Sequence, residues 1–306
     1  MGKIFVIGEA MLDIHTFGKI ERINPEAPVP VLHVIKEKEK FGLGGAANVA
    51  NNLANLKADV EFVSIVNDDT FGSQIKELCT ENNLNYHFFS DGRPTITKQR
   101  FVAADYNQQV LRVDYEDKSL LSKEYSDKII NHVINENPSI ILISDYAKGL
   151  ITEYFMDKLK QNFKGKIIVD PKPQNINFYK DVFLLKPNLI EAEKILGYEI
   201  NKTNINSEIQ KLSSKFNSNI VITLGKQGLV AYDKDKKETF QSKSYAKEVF
   251  DVSGCGDTFI ATLTYALSKG NSFKAAVELA NKAAGIVITH FGAVPIKYEE
   301  LFDKNE

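Results

Sequence analysis

The sequence predicts an α/β fold with a mostly parallel central sheet and a small second sheet. Short apolar runs of the kind that form buried strands alternate with segments of helical periodicity along most of the chain. Buried strands that alternate with helices indicate parallel pairing through right-handed crossovers. Two segments instead alternate apolar and polar residues without a helical period. We therefore predict one domain over residues 1–306, flanked by helices, into which a small sheet is inserted.

The elements can be placed along the chain in order. The predicted strands are Lys3–Gly8, Val60–Val66, Ser139–Ser144, Lys166–Asp170, Val182–Leu185 and Asn219–Leu224. The predicted helices are Asn48–Leu56, Thr70–Asn82, Lys123–Asn135, Glu153–Asn162, Ser207–Phe216, Asp257–Leu267 and Phe273 to about His290. The alternating segments lie at about 14–40 and 95–114, and their pattern is typical of antiparallel strands with one wet face.

Composition excludes several classes of protein. The chain has 306 residues with 38 basic and 40 acidic side chains, a formal charge of −2, which argues against a general nucleic-acid binder. No apolar run approaches the ~20 residues of a membrane-spanning helix, and the first residues do not form a signal peptide. The two cysteines, Cys79 and Cys255, cannot make a disulfide framework or a four-ligand zinc site. We expect a cytoplasmic protein without membrane or nucleic-acid partners.

The strongest local motif is DVSGCGDTF at residues 251–259, directly before a predicted helix. Gly254 and Gly256 allow a tight turn whose N–H groups, with the helix N-terminus, form a hole for a phosphate-sized anion. Asp257 in that hole could take a proton from a hydroxyl that attacks phosphorus. The alternative is that Asp257 only caps the helix, and the motif alone leaves both readings open.

Two further motifs follow predicted strands. Asn188 and Glu191 have the spacing of a capping box, which is the simpler reading of this pair. They also lie where open α/β sheets bind ligands and could order the waters of a Mg²⁺ ion. The glycine turn from Thr223 through Gly225 to Gly228 suits a nucleotide but is weak evidence alone, and the common P-loop and dinucleotide fingerprints are missing.

Polar and cationic residues near the other predicted strand ends are candidates for substrate binding. Asp13, and Asn48 within GGAANVA at residues 44–50, are suitable partners for sugar hydroxyls. Single cations are usually solvated surface charges, but as a set they could recognise an anionic group. This set contains Lys98, Arg100, Arg112, Lys148 and Lys172.

GGAANVA and DVSGCGDTF together resemble the two signatures of the ribokinase, or PfkB, family of carbohydrate kinases, and the resemblance covers nearly the whole chain. It implies a ribokinase-like fold whose inserted strands form a β lid over the sugar, often also used for dimerisation. RINPEAPVP at residues 22–30 and SDYAKG at 144–149 are similar to members that phosphorylate D-glycero-β-D-manno-heptose 7-phosphate for ADP-heptose synthesis. The signatures alone leave the sugar open.

The resemblance implies a role for each matching position. Asp257 would be the base, with the backbone of Gly254, Cys255 and Gly256 as the anion hole. Asn188 and Glu191 would organise Mg²⁺, and Thr223, Gly225, Gly228 and Asn281 would line the ATP site. Asp13, Gly45, Asn48 and Asp145 would hold sugar hydroxyls, while Lys98, Arg100, Lys148 and Lys172 would bind the substrate's phosphate. Asp251 and Ser253 match positions that hold a monovalent cation such as K⁺ in some relatives.

The sequence departs from the family pattern at several points, and other readings stay open. Glu9 stands where Asp is frequent, Cys255 replaces the usual Ala, and residues 100–107 look about two residues longer than usual. Many relatives are fused to a nucleotidyltransferase; here we expect a separate enzyme for that step, and a homodimer formed through the lid. The alternatives are a PfkB kinase for ribose, fructose or a hexose phosphate, and a non-catalytic sugar or nucleotide sensor on the same scaffold.

Overall fold

The computed structural model describes residues 2–245, 253–289 and 294–302. Most of its strands belong to one large sheet. In chain order this sheet contains β1 (Ile4–Gly8), β5 (Val60–Ile65), β6 (Asn85–Phe89), β9 (Ile140–Ser144), β10 (Lys166–Asp170), β11 (Leu184–Leu185), β12 (Asn219–Thr223), β13 (Leu229–Asp233) and β14 (Glu238–Ser242). A second sheet contains β2 (Ala10–Ile23), β3 (Pro30–Val34), β4 (Lys40–Gly45), β7 (Thr97–Ala103) and β8 (Gln108–Tyr115).

Helices cover both faces of the large sheet. One face packs against α1 (Ala46–Asn55), α2 (Thr70–Glu81), α7 (Cys255–Ser268), α8 (Phe273–Val287) and α9 (Tyr298–Phe302). The other packs against α3 (Lys123–Asn135), α4 (Glu153–Asn162), α5 (Leu189–Leu196) and α6 (Ile205–Phe216). Alternate residues of β1 feed the two cores, since Ile4 and Val6 join the first and Phe5 and Ile7 the second.

The strand order of the large sheet is β14-β13-β12-β11-β10-β9-β1-β5-β6. All neighbours from β12 to β6 pair in parallel, and only β13 and β14 are antiparallel. The predicted mostly parallel α/β sheet is therefore confirmed. Because the parallel strands share one direction, their carboxyl ends meet at a single edge, which is where open α/β sheets bind ligands.

The small sheet is built around β2, which pairs with β4 and then β3 along one side and with β7 along the other. Glu9 alone separates the end of β1 from the start of β2, so the chain passes from one sheet to the other through a single residue. The predicted inserted strands lie in this sheet, but the sheet reaches further along the chain, since it starts at Ala10 and includes the glycine-rich stretch up to Gly45.

Gly45 ends a strand in the glycine-rich stretch, which the sequence did not predict as a strand. Residues 40–45 pair with β2, and the chain then turns into α1 at Gly45, which has φ +59°. A Cβ atom there would stand 2.6 Å from the carbonyl oxygen of Glu9, so only glycine fits. No helix among the described residues has the length and apolar character needed to cross a membrane.

Candidate active site

A cluster of polar side chains lies at the carboxyl edge of the large sheet. Glu9, Asp145 and Lys186 each directly follow a strand of this sheet, and Asp170 is the last residue of β10. The N-terminus of α7 faces the same cluster, because a Cβ atom on Gly256 would stand 3.7 Å from the Lys186 ammonium nitrogen. The glycine motif before α7 and the strand ends therefore lie together.

Asp257 lies in the first turn of α7, behind Gly254, which has the left-handed φ of +75°. Its Oδ2 accepts a hydrogen bond from Asn48 Nδ2 at 2.8 Å, and its Oδ1 accepts one from the Tyr146 hydroxyl at 3.0 Å. Burial raises the pKa of this carboxyl. The hydrogen bonds from Asn48 and Tyr146 and the charges of Lys186 and Lys172 lower it, but by less. The carboxylate is thus tied to α1 and to the loop after β9, an arrangement that a helix cap does not require.

The buried Lys186 ammonium forms an ion pair with the partly buried Asp170 beside this carboxylate. The Lys186 Nζ is 3.0 Å from Asp170 Oδ1, and only 4% of the lysine side chain is exposed. Burial raises the pKa of Asp170 to about 6, against the opposing effect of Lys186. An ammonium group held this deep, next to the turn at Gly256, is placed to meet an anion that enters there. We did not predict Lys186 as a site residue.

Asn188 and Glu191 form the capping box that was the simpler reading of their spacing. Asn188 Oδ1 accepts from the Glu191 N–H, and Glu191 Oε2 accepts from the Asn188 N–H, both at 2.9 Å. Glu191 Oε1 also accepts from Lys172 Nζ at 2.6 Å. Each Glu191 oxygen thus has one protein donor and can accept a second bond, so the pair can still hold the water shell of a cation.

The residues predicted for the nucleotide come together in one cavity. Its lining includes Thr223, Gly225, Gly228 and Asn281, together with Cys255 and Gly256 from the start of α7. Two larger surface grooves, of about 650 and 490 Å³, lie at the amino edge of the sheet around Lys164 and Asp181. Those grooves are far from the clustered charges, so we place the site by chemistry and not by size.

Comparison with known proteins supplies the family. The profile described as "pfkB family carbohydrate kinase" matches residues 1–299. The chain belongs to this family. This kinase is therefore a phosphotransferase that uses an alcohol group as acceptor.

The relatives of this kinase agree with that assignment. It is 37% identical over 304 residues to "Bifunctional protein HldE" of a Nitratiruptor species and 37% identical over 308 residues to that of Desulfatibacillum aliphaticivorans. Both matches cover 98% of this chain but only 64% and 62% of the relatives, so the chain spans a little under two thirds of their length.

Solved structures confirm the ribokinase-like fold. Phosphofructokinase-2 from Escherichia coli in complex with potassium matches with a TM-score of 0.84 at 18% identity, covering 98% of this chain and 97% of that one. Ribokinase from Thermotoga maritima matches with a TM-score of 0.78 at 20% identity and covers 98% of both chains.

The residues predicted for the sugar differ in how far they can reach it. Asp13 Oδ1 accepts from Arg100 at 2.5 Å, on two strands paired in parallel in the small sheet. Asp145 is buried, and its oxygens accept from Ala147 N–H and the Tyr179 hydroxyl among other donors. The contacts of Asp145 thus hold the local structure, and its contact with a sugar hydroxyl stays a prediction without geometric support.

The cations predicted for the substrate's phosphate are not equivalent. Lys148 pairs with Glu116 and Lys172 with Glu191, while Arg100 pairs with Asp13. Lys98 differs, because no carboxylate of the described residues lies within 4 Å of its ammonium group. Burial lowers the pKa of Lys98, and Asp13, Lys148, Asp114 and Arg112 are its charged neighbours.

Part of the predicted monovalent-cation site cannot be described. Asp251 lies outside the described residues, and Ser253 is exposed at the start of the turn before α7. The predicted pairing of these two residues around an ion therefore stays a prediction.

Proposed function

We propose that this PfkB kinase transfers the γ-phosphoryl group of ATP to O1 of D-glycero-β-D-manno-heptose 7-phosphate, a step of ADP-heptose synthesis. The observation that carries the chemistry is the Asp257 carboxylate, held by Asn48 and Tyr146 at the N-terminus of α7. The choice of sugar rests on the RINPEAPVP and SDYAKG segments and on the relatives named HldE. A nucleotidyltransferase would act on the product.

Asp257 would act as the general base. Its ionised carboxylate accepts the proton of the sugar hydroxyl while that oxygen attacks the γ-phosphorus of ATP. The bond between this phosphorus and the ADP oxygen breaks, and ADP is the leaving group. Since burial raises the pKa of Asp257, its ionised fraction falls at a higher pH than for an ordinary aspartate. We therefore expect kcat/KM to decline on the acid side through the pKa of this residue.

The other side of the reaction would be stabilised by fixed positive charge. A Cβ atom on Gly256 would stand 3.7 Å from the Lys186 ammonium nitrogen, so the first turn of α7 and this cation would together stabilise the negative charge that develops on the transferring group. The oxygen-rich pair Asn188 and Glu191 fits Mg²⁺ bound through water, which would supply neutralisation of the ATP phosphates. The cavity between Thr223 and Asn281 would take the nucleoside.

Lys98 would recognise the phosphate that the substrate already carries. It is half-buried beside Lys148 and Arg112 and lacks a carboxylate partner among the described residues. An incoming phosphate would give it the pairing that the protein does not. This favours a sugar phosphate over ribose or fructose, and it leaves a hexose phosphate as the alternative substrate.

An ADP-release assay tests substrate and activity together. Heptose 7-phosphate, unphosphorylated heptose, fructose 6-phosphate and ribose are compared at fixed MgATP. Loss of two charge-assisted hydrogen bonds should lower kcat/KM for the unphosphorylated heptose by at least ~10²-fold. Lys98→Met should abolish most of that preference, whereas Lys40→Met, on β4 of the same sheet, should preserve it.

Each of the other results supports a different reading. Equal kcat/KM for heptose and heptose 7-phosphate would refute the phosphate site. Faster turnover of fructose 6-phosphate would show that the protein is a hexose phosphate kinase. ATP binding without any sugar-dependent ADP release would favour the sensor. The same assay in K⁺ and in Na⁺ tests the monovalent cation, and a rate equal in both would refute it.

A homodimer formed through the small sheet completes the proposal. Ile23, Val34, Leu111 and Tyr115 on β2, β3 and β8 are each more than half exposed. Exposed aliphatic and aromatic side chains on one sheet are typical of a surface that a second chain covers. Light scattering should report a dimer for the wild type and a monomer for Leu111→Lys; a monomeric wild type would refute it.

A further inference from the structure

The loop after β9 brings a tyrosine to the reacting carboxylate. The Tyr146 hydroxyl donates to Asp257 Oδ1 at 3.0 Å, although the two residues lie on different elements and 111 positions apart. Burial and the neighbouring Asp257 and Asp170 carboxylates raise the pKa of this phenol well above its usual value. The tyrosine therefore stays protonated and is the donor in this hydrogen bond.

We propose that Tyr146 is a positioning residue for the base, whose hydroxyl, together with Asn48, fixes the Asp257 carboxylate in the orientation that receives the sugar proton. The proposal rests on the role of Asp257 given above. Asn48 engages Oδ2 and Tyr146 engages Oδ1, so rotation of the carboxylate breaks both hydrogen bonds. Each oxygen keeps a second lone pair, which is where the sugar hydroxyl can bind.

The backbone that carries Tyr146 is itself anchored. Glu9, the single residue between β1 and β2, accepts hydrogen bonds from the N–H groups of Tyr146 at 2.9 Å and Lys148 at 3.0 Å. Asp145 accepts from the N–H of Ala147, which has the left-handed φ of +53° that an alanine adopts only when it is held there. The tyrosine hydroxyl is therefore placed by a loop whose backbone is held by hydrogen bonds to Glu9 and Asp145.

The remaining charges around Asp257 allow the tyrosine's contribution to be isolated. Lys186 follows β11, and Lys172 and Asp170 lie at the end of β10, so all three face Asp257 from neighbouring strand ends. Tyr146→Phe removes one hydroxyl and leaves every one of these charges in place. A change in the titration of Asp257 in this variant then reports the lost hydrogen bond.

The first experiment compares the pH profile of kcat/KM in wild type, Tyr146→Phe and Tyr154→Phe. A hydrogen bond to the charged form lowers an acid's pKa, so its loss should move the acid limb up by about one pH unit. We also expect kcat at the plateau to fall about tenfold, with the KM for ATP unchanged. Tyr154 is the matched control, because its hydroxyl also donates to a carboxylate, that of Asp127, on the far helices α3 and α4.

A second measurement does not depend on which sugar is phosphorylated. The Asp257 carboxyl is titrated by ¹³C NMR without substrate, with Asp257→Asn to assign the signal. A pKa about one unit higher in Tyr146→Phe supports the proposal even if no heptose is turned over, in which case the proposed substrate fails alone. The same pKa and the same acid limb in both proteins would overturn it.

An isosteric replacement guards against misfolding of the phenylalanine variant. Incorporation of 3,5-difluorotyrosine at position 146 keeps the hydroxyl and makes it a stronger donor. The acid limb and the NMR pKa of Asp257 should then both move to lower pH. A shift to higher pH, or none, would contradict the proposal, because a merely structural tyrosine would not respond to its own acidity.

Discussion

At the amino edge of the large sheet Glu61 lies between Lys3 and His132, whereas at the carboxyl edge Glu9, Asp170 and Asp257 are gathered within the fold. Glu61 accepts from Lys3 Nζ and faces His132 Nε2, each at 2.6 Å. Burial alone would raise its pKa, but these two partners bring it below the usual value. The pKa of each of the three carboxyls at the other edge is raised, with burial as the largest cause.

This difference separates a carboxylate whose ionisation stabilises the fold from carboxylates whose ionisation costs stability. A carboxylate whose pKa is lowered by its partners contributes stability that is complete above its unfolded pKa and is lost as the pH falls through its folded pKa. One whose pKa is raised costs stability when it is ionised. Ionised carboxylates at the carboxyl edge therefore lower the stability of the fold, and the predictions below probe that contrast.

Asp257→Asn should have the largest effect. The amide keeps the shape but cannot take a proton, so kcat should fall by ~10²–10⁴-fold while ATP still binds. Steady-state kinetics and ATP titration calorimetry measure the two quantities. Asp127→Asn, on α3, is the control and should retain full activity. An Asp257→Asn enzyme with more than about a tenth of the wild-type rate would show that another group is the base.

Lys186→Met should lower kcat by ~10²-fold, as expected for the loss of one preorganised donor to developing charge. It also leaves the partly buried Asp170 without its partner, which destabilises the protein unless Asp170 takes up a proton. The double variant Lys186→Met/Asp170→Asn separates the effects: thermal stability should recover and kcat should not. Recovery of both would reduce Lys186 to a structural role.

Alkylation should distinguish the two cysteines. Cys255 begins α7 and lines the predicted nucleotide cavity, so a bulky adduct there should block phosphoryl transfer and MgATP should protect. Cys79 is buried in α2, and burial raises the pKa of its thiol to about 12, which makes it unreactive. Wild type and Cys79→Ala should be inactivated and Cys255→Ala should resist. If Cys255→Ala is inactivated as fast as the wild type, Cys255 does not lie at the phosphate site.

Glu9→Gln should alter the pH dependence of stability. Burial raises the pKa of Glu9 from 4.5 to about 7, so the stability contributed by its protonated form is complete below pH 4.5 and is lost as the pH rises through 7. Chemical denaturation at pH 5 and pH 8 should show this loss in wild type and a smaller one in Glu9→Gln. The exposed Glu136→Gln is the control; an identical pH dependence in all three proteins would contradict the assignment.

Glu61→Gln should have the smallest effect, on stability alone. A partly exposed ion pair contributes about 0–1 kcal/mol to the free energy of unfolding, so the variant should lose at most that amount at pH 7 and keep its kcat.

Glu61, His87 and His132 offer metal-ligating atoms within 4.8 Å of one another, but Lys3 already neutralises the carboxylate. We expect Zn²⁺ to leave the melting temperature unchanged, and a rise that Glu61→Gln abolishes would show that the two edges are more alike than we infer.

The sequence predicted the alternation of strands and helices because buried parallel strands are short, apolar and bounded by glycine or polar residues. It did not predict β13 and β14, whose residues LVAYD and ETFQS mix polar with apolar side chains around the tight turn between them. The glycine-rich residues 42–45 were not predicted as part of a strand, because nothing local reveals that β2 pairs with them.

For the site, the glycine motif and the capping-box spacing were visible, but Lys186, Tyr146 and Glu9 were missed. Each lies one or two residues beyond the end of a strand, so position at the carboxyl edge was the available signal. Their function depends on contacts across the sheet, such as the hydrogen bond from Tyr146 to Asp257, and no local pattern specifies those contacts.

The order of strands also has a consequence for synthesis. β1 is made first, yet it lies between β5 and β9, and its residues are entirely enclosed in the finished protein. At 5–20 residues per second, roughly 7–30 s pass on the ribosome between the completion of β1 and that of β9 at Ser144. Throughout that interval the edge of the apolar segment IFVIG that will pair with β9 has no partner strand. A nascent chain released too early would expose the strand on which both cores are assembled, and an unpaired apolar strand of this kind is prone to aggregate.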